Sequence, residues 1–144
     1  MRQDLIAGAA LLLMGVPAAA QPDGEAIASF GLNGHWAVSC AAPPAPTNPH
    51  VLVAASPATQ PTRELMTGNA ETDNVLPLVN ARLIGGNQIT FQEFTEGKLI
   101  TFLVVKEAGR YRINEMVTND GKALVTHAVQ NWDGLPSPWY QRCP

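Results

Sequence analysis

From Leu78 to Gln130 the chain alternates between short glycine-containing turns and segments rich in β-branched, aromatic and aliphatic residues. The turns are Gly85-Gly86, Glu96-Gly97, Ala108-Gly109 and Asp120-Gly121, and their second residues fall 11, 12 and 12 positions apart. Regular spacing of this kind is the pattern of an antiparallel meander. It predicts strands over Leu78–Ile84, Gln88–Phe94, Lys98–Lys106, Arg110–Thr118 and Lys122–Gln130. Upstream, Trp36 and Val38 alternate within His35–Cys40 as a first strand does. His50–Ala55 reads as a second strand, Arg63–Thr67 as a short third, and Trp139–Cys143 as the last. Pro77 is an obstacle to starting the meander earlier. Ala41–Pro49 carries four prolines and cannot be a central strand, and Asn131–Ser137 reads as a loop. Gln21–Leu32 shows no strong periodicity. It is expected to be a flexible lead-in, with a short helical turn over Glu25–Ser29, ahead of a domain spanning Asn33–Pro144.

The two cysteines decide how such a meander closes. Cys40 ends the first strand and Cys143 the last, and two cysteines pair in only one way. A bridge between them ties the ends of the sheet together. The expected fold is therefore all-β, a small antiparallel barrel of about eight strands closed by one disulfide, with a β-sandwich as the alternative. No Cys-x-x-Cys motif suggests a redox pair.

The start of the chain reads as an export signal, which leads to the expectation of a compartment where that bridge survives. Leu5–Val16 is an apolar run ended by Pro17, and Ala18-Ala19-Ala20 supplies small residues for signal-peptide cleavage after Ala20. The run is too short to cross a bilayer, which takes about 20 apolar residues. The expected location is periplasmic or secreted. Removing Arg2 and Asp4 leaves 8 basic and 11 acidic side chains, so the mature charge stays at −3. That mild acidity argues against nucleic acid or an anionic membrane surface as the main partner. Arg110 and Arg112 are the only close pair of cations, and a strand puts both on one solvated face. No strand set is long enough to suggest an integral membrane barrel.

Face patterns point to one polar constellation inside. In Arg110–Thr118 the odd positions Tyr111, Ile113, Glu115 and Val117 are expected to face inward. In Lys122–Gln130 the inward set is Ala123, Val125, His127 and Val129. A three-residue loop, Asn119-Asp120-Gly121, pairs Thr118 with Lys122 and keeps both sets on one face, and Gly121 supplies the left-handed residue it needs. This register sets Glu115 opposite Val125 and diagonal to His127, both facing the interior. A carboxylate beside an imidazole is chemistry for a general acid/base pair or for a ligand's polar end. It is equally the chemistry of a buried pair that satisfies itself. Phe102, Tyr111, Glu115 and His127 are thus the inward residues to test for ligand binding.

Other chemistry is sparse. His35, His50 and His127 are the whole histidine supply and show no metal-ligand spacing. Neither a Gly-x-Ser-x-Gly frame nor a phosphate-cradling glycine loop occurs. No metal, cofactor or catalytic residue is expected. Trp36 and Trp139 each lie within four residues of a cysteine and are expected to pack as core plugs near the bridge.

Gly34-His35-Trp36, on a first strand ahead of an antiparallel meander, resembles the Gly-x-Trp opening of lipocalins and their calycin relatives. In that family the tryptophan closes one barrel end and an arginine from the final strand packs across it, a part that the resemblance gives to Arg142. It implies an eight-stranded up-and-down barrel that holds a small apolar ligand. The chain also resembles small exported barrels that inhibit secreted metalloproteases and share the Gly-x-Trp opening and a disulfide. The family's Thr-Asp-Tyr-like motif and its long helix after the barrel are absent here. Three functions follow as expectations: a non-enzymatic binding protein with a small apolar ligand, a protein–protein module such as a protease inhibitor acting through the lead-in or the proline loops, or an enzyme using Glu115 and His127.

Overall fold

In the computed structural model, which describes residues 20–144, one short helix precedes ten strands. The expected leader, apart from Ala20, lies outside the described residues. The helix α1 spans Asp23–Phe30. The strands are β1 (Gly34–Ala37), β2 (His50–Ser56), β3 (Thr59–Met66), β4 (Asn74–Leu83), β5 (Gln88–Thr95), β6 (Lys98–Glu107), β7 (Arg110–Thr118), β8 (Ala123–Thr126), β9 (Val129–Gln130) and β10 (Tyr140–Arg142). Neighbours pair antiparallel from β1 through β7, and β10 then bridges β7 to β1. The result is a closed eight-stranded barrel, with β8 and β9 as a hairpin added to the far half of β7. The Cys40–Cys143 disulfide is formed, with Cα atoms 5.4 Å apart across a separation of 103 residues.

The lead-in is not a flexible stretch but part of the core. Asp23 and Glu25 sit in the first turn of α1, where acidic side chains complement the helix dipole. Asp23 Oδ1 accepts from the Ala81 backbone N–H at 2.8 Å. Ala26, Ile27 and Phe30 are fully buried and join the barrel residues Trp36, Val53, Leu78, Phe91 and Tyr111 in one cluster. The sequence pattern hides this helix because it is only 8 residues long, too short for a helical period to repeat. Gly24 is where it touches the β2–β3 turn: a Cβ there would stand 2.0 Å from the Ser56 carbonyl oxygen. Any side chain lifts the helix off.

Strand boundaries follow the glycine turns, with two instructive departures. β4 begins at Asn74, ahead of Pro77, because Val75 and Leu76 still pair with Glu64 and Arg63. A proline removes only its own ladder donor. β7 carries a bulge: Leu103 pairs with Glu115 but Val104 with Ile113, so Asn114 is an extra residue. Facing therefore switches within the strand. Tyr111 and Ile113 point in before it, Met116 and Thr118 after it. Residue Leu124 is the extra residue on β8, between the Val117–Ala123 and Met116–Val125 pairs.

Candidate functional site

The interior is built by the inward face of each strand. Ile89, Phe91 and Glu93 come from β5, Ile100, Phe102 and Val104 from β6, and Arg63 and Leu65 from β3. Phe91 stacks on Phe102 with centroids 5.2 Å apart, and Tyr111 stacks on Tyr140 at 5.0 Å. Burial pushes both phenols above their usual value. Among these apolar groups lies an ion pair. Arg63 Nε donates to Glu93 Oε2 at 2.9 Å and its Nη2 stands 2.8 Å from Oε1. Glu93 is 1% exposed and Arg63 17%. The Arg63 guanidinium also lies over the Phe102 ring at 5.5 Å. Beside Arg63, Phe102, Tyr111 and Ile113 lies a cavity of about 20 Å³. That is room for roughly one water.

The four residues expected to line a ligand site are therefore divided. Phe102 and Tyr111 are buried inside. Glu115 and His127 are outside, which corrects the expectation. The Asn114 bulge turns Glu115 outward, and a tight turn at His127-Ala128 ends β8 where a continuous strand was expected. Both turn residues adopt positive φ, 49° and 59°. The His127 side chain is 88% exposed. Its backbone N–H donates to Glu115 Oε1 at 3.0 Å, and its Nε2 is 4.0 Å from that oxygen. Glu115 and His127 thus remain neighbours, as the strand register implied, but on the outer wall, Glu115 partly and His127 largely exposed.

One barrel end is closed in the way the Gly-x-Trp opening suggests. Trp36 is buried, its Nε1–H donates to the Leu32 carbonyl at 2.8 Å, and its ring meets Tyr111 edge-on. Arg142 lies 4.5 Å above that ring and donates to the carbonyls of Asn33 and Gly31 at 2.6 and 2.7 Å. Gly34 makes this crossing possible, since a Cβ there would meet Arg142 Nη1 at 2.4 Å. Trp139 is elsewhere. It lies against Arg110 and Arg112, with their guanidinium carbons 5.1 and 4.5 Å from its ring centre.

On the outer wall the proline loop is fastened at many points. Asn48 is buried and works as a hub. Its Oδ1 accepts from Ser39 N–H at 2.9 Å, and its Nδ2 is shared among the carbonyls of Ser39, Ala42 and Pro43 at 3.0–3.2 Å. Ala45 and Asn48 exchange both backbone bonds, so Pro46-Thr47 forms an exposed tip. His50 Nε2 donates to the Ala42 carbonyl at 3.0 Å, and its Nδ1 accepts from His35 Nε2 at 2.8 Å. Antiparallel pairing of β1 with β2 brings these two histidines together, although 15 residues separate them. Among the described residues no group of three or more His, Cys, Asp or Glu is placed to hold a metal.

Two further surfaces escaped the sequence reading. Asn80, Arg82, Thr90, Gln92 and Thr101 line an open polar cleft of about 230 Å³ on β4–β6. The loop after β9 displays Trp132, 62% exposed, and it is a firm mount. Gln130 N–H donates to the Leu135 carbonyl, Gly134 N–H to Gln130, and the Asn131 side chain to Ala123 and Thr126. Among the described residues no helix is long and apolar enough to cross a membrane. Comparison with protein-family models, curated proteins and solved structures returns no match.

Proposed function

We propose that the protein is an exported, non-enzymatic interaction module that meets a partner protein through its outer loops. The observation that carries this reading is the filled interior. A carrier of apolar ligands needs a pocket of about 300 Å³ or more, whereas the barrel holds α1, an aromatic stack and the Arg63–Glu93 pair around about 20 Å³. The disulfide supports export, since such bridges persist in oxidising compartments. Tips held rigid before contact lose little entropy on binding, which suits the Pro46-Thr47 tip and the Trp132 loop. The resemblance to small inhibitory barrels makes a secreted protease the first partner class to try.

Two measurements test the proposal. Native and denatured masses of the mature protein from its host's envelope should agree apart from bound solvent. The denatured mass should begin at Gln21 and lack two hydrogens for the bridge. A stoichiometric small molecule of a few hundred daltons in the native species would overturn the reading. Inhibition of secreted metalloproteases should then be compared among the parent, Thr47→Arg and Trp132→Ala. Loss in either variant with unchanged melting supports a loop contact, and full activity in both rejects these loops as the surface.

A further inference from the structure

We infer that Arg110 and Arg112, laid against Trp139, form a binding site for a dianionic phosphate group on the outer wall of the barrel. The two arginines alternate with the buried Tyr111 on β7, so their side chains share the outward face. Side chains two apart on a strand stand about 7 Å from one another. Trp139, just before β10, brings its indole within cation–π range of both guanidinium groups.

These two arginines lie side by side with no anion between them. Arg63 is neutralised by Glu93, and Arg142 spends its donors on two backbone carbonyls. Among the described residues, neither the Arg110 nor the Arg112 guanidinium makes an ion pair or a hydrogen bond. Glu107, the cross-strand neighbour of Arg110, does not pair with it. The Arg112 Nε–H is buried without a partner, and buried donors are rarely left so. Two like charges held together are unfavourable unless something compensates them. The indole holds both guanidinium groups close to one ring, and arginine grips phosphate oxygens in pairs through its N–H donors. Two uncompensated positive charges match a dianion, so the ligand class is phosphate, either free or as a monoester on a larger molecule. The site is independent of the loop contacts proposed above.

The test uses the disulfide-intact mature protein labelled with ¹⁵N, titrated with inorganic phosphate at constant ionic strength. The Trp139 Nε1–H and Arg112 Nε–H signals should shift and saturate, while those of Trp36 and Trp132 stay in place. Arg110→Gln and Arg112→Gln should each weaken binding by about tenfold or more, and Arg112→Lys by less. Should Arg112→Gln fail to fold, the exposed Arg110→Gln carries the comparison. Glycerol 1-phosphate binding at least as tightly as inorganic phosphate identifies an esterified group as the ligand, and exclusion of the ester identifies free phosphate. Shifts no larger than those from sodium chloride, equal shifts with acetate, or undiminished binding in both glutamine variants would overturn the assignment.

Discussion

Glu93 sits between Leu78 on β4 and Ile100 on β6, both buried, and among the described residues its only cation is Arg63. Replacing Arg63 by Met strands a carboxylate that water reaches over 1% of its surface. Such an uncompensated buried charge costs about 3–5 kcal/mol. A domain of this size has about 5–15 kcal/mol in total. Its unfolding entropy, at about 2.1 cal/mol/K per residue over roughly 120 residues, is about 0.25 kcal/mol/K. The melting midpoint of Arg63→Met should therefore fall by about 12–20 °C, and Glu93→Leu should fall comparably because it strands the guanidinium. The double variant Arg63→Met/Glu93→Leu should recover most of that loss or exceed the parent, since apolar replacements of a buried pair are often neutral or stabilising. Thermal and urea unfolding of all four proteins with the disulfide intact closes the cycle. Single variants costing under about 1 kcal/mol, the value of a solvated pair, would refute the burial argument. A double variant costing the sum of the singles would refute the coupling.

Both tyrosines of the chain are buried with raised phenol pKa values, Tyr111 and Tyr140 alike. An acid raised in the folded state stabilises the fold below its unfolded value of about 10, and that contribution fades as pH climbs beyond it. Absorbance at 295 nm should thus stay flat through pH 10 and rise only together with loss of the fold, and a native tyrosinate signal near pH 10 would contradict the burial. Gly34→Ala should cost about 1–3 kcal/mol by forcing φ of 130° on a residue with a Cβ and pushing Arg142 off Trp36; a change under about 0.5 kcal/mol in urea unfolding would show that the crossing relaxes freely. Replacing Cys40 and Cys143 by Ala should lower stability by up to about 4–5 kcal/mol, the loop-entropy value for a bridge of this span, read from the urea midpoint. Trp132→Ala should leave stability within about 0.5 kcal/mol, because its ring packs against little.

The barrel, its disulfide and most strands were legible because glycine turns and β-rich segments are local signals, and two cysteines leave one pairing. The three-residue loop at Asn119–Gly121 was legible too: Thr118 and Lys122 pair across it. The site was not, because facing depends on counting residues without slip. One extra residue at Asn114 reverses every later side chain of β7, and no composition signal marks a bulge whose residue is not glycine. The same holds for the His127-Ala128 turn, made without the Asn-Gly pair that usually announces it. Glu93 could have been found. It shares parity with Ile89 and Phe91 on one strand, and Arg63 shares parity with Leu65 on another. An acid and a base on two apolar faces of one barrel point to each other.

β10 is three residues long, yet it alone joins β7 to β1. Arg142 on the same strand covers Trp36, and Cys143 next to it fixes the proline loop. Ring closure, end cap and covalent lock are therefore completed by one short segment, and none can form before it arrives. A chain stopped ahead of Tyr140 is an open ribbon with a bare edge on β1 and a free Cys40 thiol. Closure of the ring and masking of the Cys40 thiol are thus one event, and both wait on the arrival of β10 and Cys143.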